Sequence, residues 1–201
     1  MSYSAWVTPN KVSGNGNDTV SWEGAVHTGR VARQTSATFS ASGVESKTLT
    51  IIQSAKAEFA AIDDTASVGK NGGTLTISGT SNSSKLTFAL TGTDNIGLTL
   101  PSSYTANGVS VNNGAAITGD PGATAQFAFS ITFTNIPANT SIAALTAQLT
   151  VTDDAGNTDT CAITQAAGDP YLAISPDSIT IPAAGTAQSV SVTSNTNWSN
   201  S

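Results

Sequence analysis

Thr48-Leu-Thr-Ile51-Ile-Gln53-Ser-Ala-Lys-Ala-Glu-Phe59-Ala-Ala-Ile62 returns later in the chain as Thr160-Cys-Ala-Ile163-Thr-Gln165-Ala-Ala-Gly-Asp-Pro-Tyr171-Leu-Ala-Ile174, an offset of 112 residues (165 minus 53). Each copy runs from an alternating apolar strand, through a short joint, into the first strand of another unit. The match extends from Gly73-Thr74 to Gly185-Thr186 and, after a one-residue slip, from Thr80-Ser-Asn82 to Thr193-Ser-Asn195. The repeat divides the chain into three parts. Residues 1–56 read as the back part of one unit, 57–168 as a complete unit and 169–201 as the front part of another.

Within 57–168 the spacing predicts half-buried strands at Leu75–Ile77, Leu86–Leu90, Gly97–Leu100, Phe127–Phe133, Leu145–Val151 and Cys161–Ile163. Short strands broken by Gly, Asn, Asp and Pro predict a sandwich of antiparallel sheets. Residues 101–124, rich in Ser, Asn and Gly, read as an inserted loop or an extra hairpin, and Asp153-Asp-Ala-Gly156-Asn157 as a hairpin turn. Composition agrees: only 10% of residues are charged, and Ser, Thr, Asn, Ala and Gly fill the gap, which suits strands and turns over helices. The expected class is all-β, with tandem immunoglobulin-like sandwiches.

The two ends read as halves of one domain. Tyr171 to Trp198 supplies two strands, a Pro/Gly turn and a tryptophan; Tyr3 to Gln53 supplies Trp6-Val-Thr-Pro9, Gly14-Asn-Gly16 and a closing strand. Joining Ser201 to Met1 would leave eight residues between Trp198 and Trp6, a spacing that fits a hairpin. The opening thus falls at a surface turn, where new termini are best tolerated.

An extended first strand, Pro-x-x-Gly, Ser194-Asn195-Thr-Asn-Trp198, then Trp6-Val-Thr-Pro9, Gly14-Asn-Gly16 and Ile51-Ile-Gln53 form a pattern that resembles the BACON domain. That family is an immunoglobulin-like sandwich common in Bacteroidetes proteins and present in crAss-like bacteriophages. The middle unit keeps the closing Ile163-Thr-Gln165 but lacks both tryptophans. The resemblance implies a BACON-like domain split between the N- and C-termini.

Catalytic constellations are scarce. His27 is the only histidine and Cys161 the only cysteine, so a histidine metal cluster is excluded and a Cys–His dyad needs distant strands to converge. Cys161 reads as a small buried hydrophobe. Asp63-Asp64 and Asp153-Asp154 sit beside turns, where carboxylates accept backbone N–H bonds in preference to binding calcium. Arg30 and Arg33 near His27 point to opposite faces of a strand. No enzyme activity, catalytic residue, metal or cofactor is expected. A net charge of −6 with seven scattered basic residues argues against nucleic acid and anionic membrane as partners.

The expected function is structural. Met1-Ser-Tyr-Ser-Ala-Trp6 lacks the features of a secretory signal, and the resemblance then implies a virion protein of a tailed bacteriophage, assembled in the host cytoplasm as a head-decoration, auxiliary-capsid or head-fibre component. The assembly interface is expected at Trp6, Leu172, Ile174, Ile179, Ile181, Val190, Val192 and Trp198, exchanged between copies of the chain. Its partners are other copies, with a closed dimer slightly favoured, and other capsid proteins. The alternative is a carbohydrate- or mucin-binding adhesion module, with Trp22 and Tyr104 as candidate rings for stacking on sugars.

Overall fold

Side chains that alternate between two faces make a strand amphipathic, and two such sheets bury their apolar faces against each other. The structure, a computed structural model, describes residues 3–92 and 96–201 in these terms. Its strands are β1 (Val7–Pro9), β2 (Trp22–Gly24), β3 (Arg33–Phe39), β4 (Lys47–Gln53), β5 (Ala60–Ile62), β6 (Thr65–Val68), β7 (Gly73–Ser81), β8 (Leu86–Thr91), β9 (Ser103–Ala106), β10 (Val109–Asn112), β11 (Phe127–Ile136), β12 (Leu145–Asp153), β13 (Thr158–Gln165), β14 (Leu172–Ser175) and β15 (Ser191–Ser194). The fold is all-β and resembles a β-sandwich.

The middle segment forms a five-stranded sheet ordered β10-β9-β11-β7-β5 and a four-stranded sheet ordered β6-β13-β12-β8. Their inward residues, among them Ile77, Phe88, Phe129, Ile131, Phe133, Leu149, Val151 and Ile163, share one buried core. Five of the six expected strands are present. Gly97–Leu100 is not a strand: Gly97 sits at φ 65° in a turn against Pro137, so Leu98 reaches the core from irregular chain. Residues 101–124 do contain an extra hairpin, β9–β10, turned by Asn107 and Gly108 at φ 50° and 78°. Paired positive φ values match the twist of the flanking strands.

The repeat recurs as hydrogen-bond register. β3 and β4 pair from Arg33↔Gln53 to Phe39↔Lys47, and β12 and β13 pair from Leu145↔Gln165 to Val151↔Asp159, each position shifted by 112 (145 minus 33). Likewise Leu172↔Ser194, Ala173↔Thr193 and Ile174↔Val192 of β14–β15 reproduce Ala60↔Ser81, Ala61↔Thr80 and Ile62↔Gly79 of β5–β7. One detail of the sequence alignment changes. The Gly72 N–H bonds Gly69 O at 2.9 Å and the Gly185 N–H bonds Pro182 O at 2.8 Å, at φ 69° and 72°. Gly185 therefore answers Gly72, not Gly73, and the one-residue slip falls before this turn, pairing Val68 with Ile181 (181 minus 68 is 113).

Candidate assembly interface

A connection between sheets carries backbone groups that no ladder satisfies, and a buried asparagine can take up three at once. Asn82 does so after β7: its Oδ1 accepts the Phe59 N–H at 2.9 Å, and its Nδ2 donates to Thr28 O at 3.1 Å and Ala57 O at 3.2 Å. Asn195 repeats the set after β15, accepting from Tyr171 N–H at 2.9 Å and donating to Thr140 O at 3.0 Å and Asp169 O at 2.8 Å. Lys56 N–H to Gly29 O has its counterpart in Gly168 N–H to Ser141 O. Each terminal segment is thus fixed to the middle segment by the same joint. Gly29 and Gly168 permit the approach, since an added Cβ would stand 2.4 Å from the Thr124 carbonyl carbon and 2.3 Å from Asn139 O.

Ion pairs reinforce both joints. Arg30 forks onto both carboxylate oxygens of Asp120 while its backbone N–H bonds Gly122 O, and Lys70 pairs with Asp169 at 2.5 Å. The N-terminal segment docks at the end of β7 through Asn82 to Thr28 O, and the C-terminal segment beside the turn that opens β7, through Asn195 to Thr140 O and Asp169 to Lys70. Nine strand residues at roughly 3.3 Å each put these docking points about 27 Å apart.

Positions buried in the middle segment lie open at the ends. Ile62, Val68 and Ile77 are 6%, 8% and 0% exposed, whereas their counterparts Ile174, Ile181 and Val190 are 54%, 61% and 38% exposed. Leu172 and Ile179 are exposed too, and Val192 is half-buried. On the N-terminal side Phe39 is exposed where Val151 is buried, and Leu49 where Cys161 is buried. Among the described residues the ladders are equally incomplete: β13 pairs with both β12 and β6, but its counterpart β4 with β3 alone; β7 pairs with β5 and β11, but β15 with β14 alone. Open edges of this kind are templates for a further strand.

The aromatic candidates separate. Trp6 is half-buried, its ring 4.6 Å from the Arg33 guanidinium carbon. Trp198, expected in a core, is exposed and answers Lys85, a half-buried rim position (198 minus 113). Trp22 stands edge-on to Tyr3 and Phe39 along a cleft of about 680 Å³, lined also by Pro9 and Ala37. Ala37 and Phe39 answer the buried Leu149 and Val151; Ala37 is buried as well, while Phe39 is exposed. Tyr104 is no surface ring: β9 turns it inward, 3% exposed, with its ring 4.9 Å from that of Phe88.

The polar candidates are each engaged locally. His27 Nε2 lies 2.8 Å from Val31 O, and Arg33 binds Gln53 Oε1 and Ala25 O. Asp63 accepts the Ser78 N–H, Asp153 accepts from Asn157, and Asp154 pairs with Lys85. Lys85 and then Ser84 hold the Asp154 carboxyl below its ordinary range. Cys161 is buried in β13; burial, with Asp63, Asp64 and Asp159 nearby, pushes its thiol up to about 11. Among the described residues no three His, Cys, Asp or Glu side chains gather as a metal site. The paired asparagine joints were not singled out from sequence, although the repeated Ser-Asn at 81–82 and 194–195 marked them.

No protein-family model matches the chain, and no curated protein matches it either.

Proposed function

We propose that this chain is a structural protein that works by assembling, its terminal segments being complementary parts of one immunoglobulin-like, BACON-like sandwich completed by neighbouring copies. The carrying observation is that side chains buried in the middle segment have exposed counterparts at the ends, Ile181 against Val68 above all. The C-terminal segment carries the counterparts of β5, β6 and β7; the N-terminal segment carries those of β12, β13 and the end of β11. The two sets do not overlap, and the stretch with no counterpart on either end holds the later part of β8 and the extra hairpin β9–β10. Burying an isoleucine or leucine contributes roughly 1.5–3 kcal/mol, so several such residues favour pairing.

The place of assembly follows from the resemblance: the virion of a tailed bacteriophage, as a head-decoration, auxiliary-capsid or head-fibre component put together in the host cytoplasm beside other capsid proteins. Immunogold labelling of purified particles with an antibody to this chain tests the placement. Light scattering tests the assembly: the native chain associates at micromolar concentration, and Ile181→Asp abolishes association without lowering the stability of the middle segment. A native chain that stays monomeric overturns the reading.

The glycan-binding alternative retains one supporting observation, the cleft beside Trp22 with its three aromatic rings. Glycan-array binding lost in Trp22→Ala would favour it.

A further inference from the structure

Resting on the complementation reading, we infer that copies join head to tail into an open chain, the C-terminal segment of one copy entering the N-terminal segment of the next in a fixed parallel register. The register comes from the middle segment, where β13 runs parallel to β6 with Ile163↔Ala66 and Gln165↔Val68. Carried over at the two offsets, Ile163 becomes Ile51, Ala66 becomes Ile179, Gln165 becomes Gln53 and Val68 becomes Ile181. Ile179 then lies beside Ile51 and Ile181 beside Gln53. The offset holds on the N-terminal side, since Gln53 Nε2 donates to Ala25 O at 2.9 Å as Gln165 Nε2 donates to Pro137 O at 2.7 Å.

Polarity comes from the joints. Because the asparagine clamps at Asn82 and Asn195 make the same three contacts with equivalent partners, the movement that carries the N-terminal unit onto the middle one also carries the middle one onto the C-terminal unit. Completing the split unit with a second copy applies that movement again, and repetition of one movement is a heterologous, head-to-tail contact. A closed pair would need its four units to return on themselves, with a quarter turn at each joint and no advance. The docking points lie at opposite ends of β7, which favours an extended run of units over a pair folded back on itself. Strand addition at the open edges of β4 and β15 supplies backbone bonds as well as apolar contact.

The test is a full chain carrying Ile51→Cys and Ile179→Cys, oxidised at rising concentration and run on a non-reducing gel. Neighbouring strands lie about 4.8 Å apart, within the range a disulfide spans. Cys161 stays out of the reaction, being fully buried. The expected result is a ladder of covalent dimers, trimers and higher rungs that lengthens with concentration, and that shortens when the native-sequence chain with Ile181→Asp is added in small amounts. Ile181 is 61% exposed in a single copy, so this stopper keeps its own fold. Covalent dimers alone, or a ladder ending at a fixed small number, would overturn the open chain and leave complementation standing. A cross-linked monomer would overturn both, in favour of closure within one copy. Failure to cross-link overturns the register if the chain still sediments as an oligomer, and the complementation reading itself if it sediments as a monomer.

Discussion

Asn82 and Asn195 show how one residue type is used twice with different consequences. Asn82 is fully buried, and replacing it by alanine removes its bonds to the Phe59 N–H and the Thr28 carbonyl, both on half-buried residues, and to the carbonyl of the exposed Ala57. Orphaned buried groups cost about 1–3 kcal/mol each. Urea unfolding of Asn82→Ala is therefore expected to lose about 3 kcal/mol, whereas Asn195→Ala, at a half-buried site that water reaches, loses under about 1 kcal/mol in the dissociated chain. Cys161 gives a second prediction at this scale. Its thiol is raised from 9.0 to about 11 in the folded chain, chiefly by burial. A raised pKa means that the folded state favours the protonated form, so its contribution is full below 9.0 and disappears as pH rises through about 11. The difference in unfolding free energy between the native chain and Cys161→Ala should be flat below pH 9.0 and shift against the native chain above it.

At the scale of elements, the C-terminal segment is a two-stranded hairpin with open edges, and such hairpins are marginal in water. A peptide of residues 169–201 alone should give poorly dispersed amide resonances, which spread when it is mixed with a chain of residues 1–168. Dispersion in the free peptide would show that the segment needs no partner. Period-two alternation made β7, β8, β11, β12 and β13 legible in the sequence, and Gly156, at φ 90°, serves the turn its position promised. Gly97–Leu100 misled because alternation records which side chains face inward, and Leu98 is buried without any ladder partner. Tyr104 misled for a related reason. A polar-looking insertion gives no sign that β9 joins the sheet through Ala106↔Phe129 and turns the ring into the core. The slip was misplaced by residues because Gly72 and Gly73 are adjacent, and only a hydrogen bond tells which one turns the chain.

At the scale of the whole molecule, the apolar faces of the middle segment are buried and those of the ends lie open. Their shared joints hold the two terminal segments at opposite ends of β7, while equivalence to buried positions gives each an apolar face to cover. Stability of the ends should therefore depend on protein concentration, as it does wherever a partner binds only the folded form. Hydrogen–deuterium exchange of the full chain across a dilution series reads this directly. The account predicts that amides of 49–53 and 179–192 gain protection together as concentration rises into the micromolar range, while those of β7 and β11 stay protected throughout. Protection of both ends that persists at the highest dilution, or that never develops at any concentration, would contradict it.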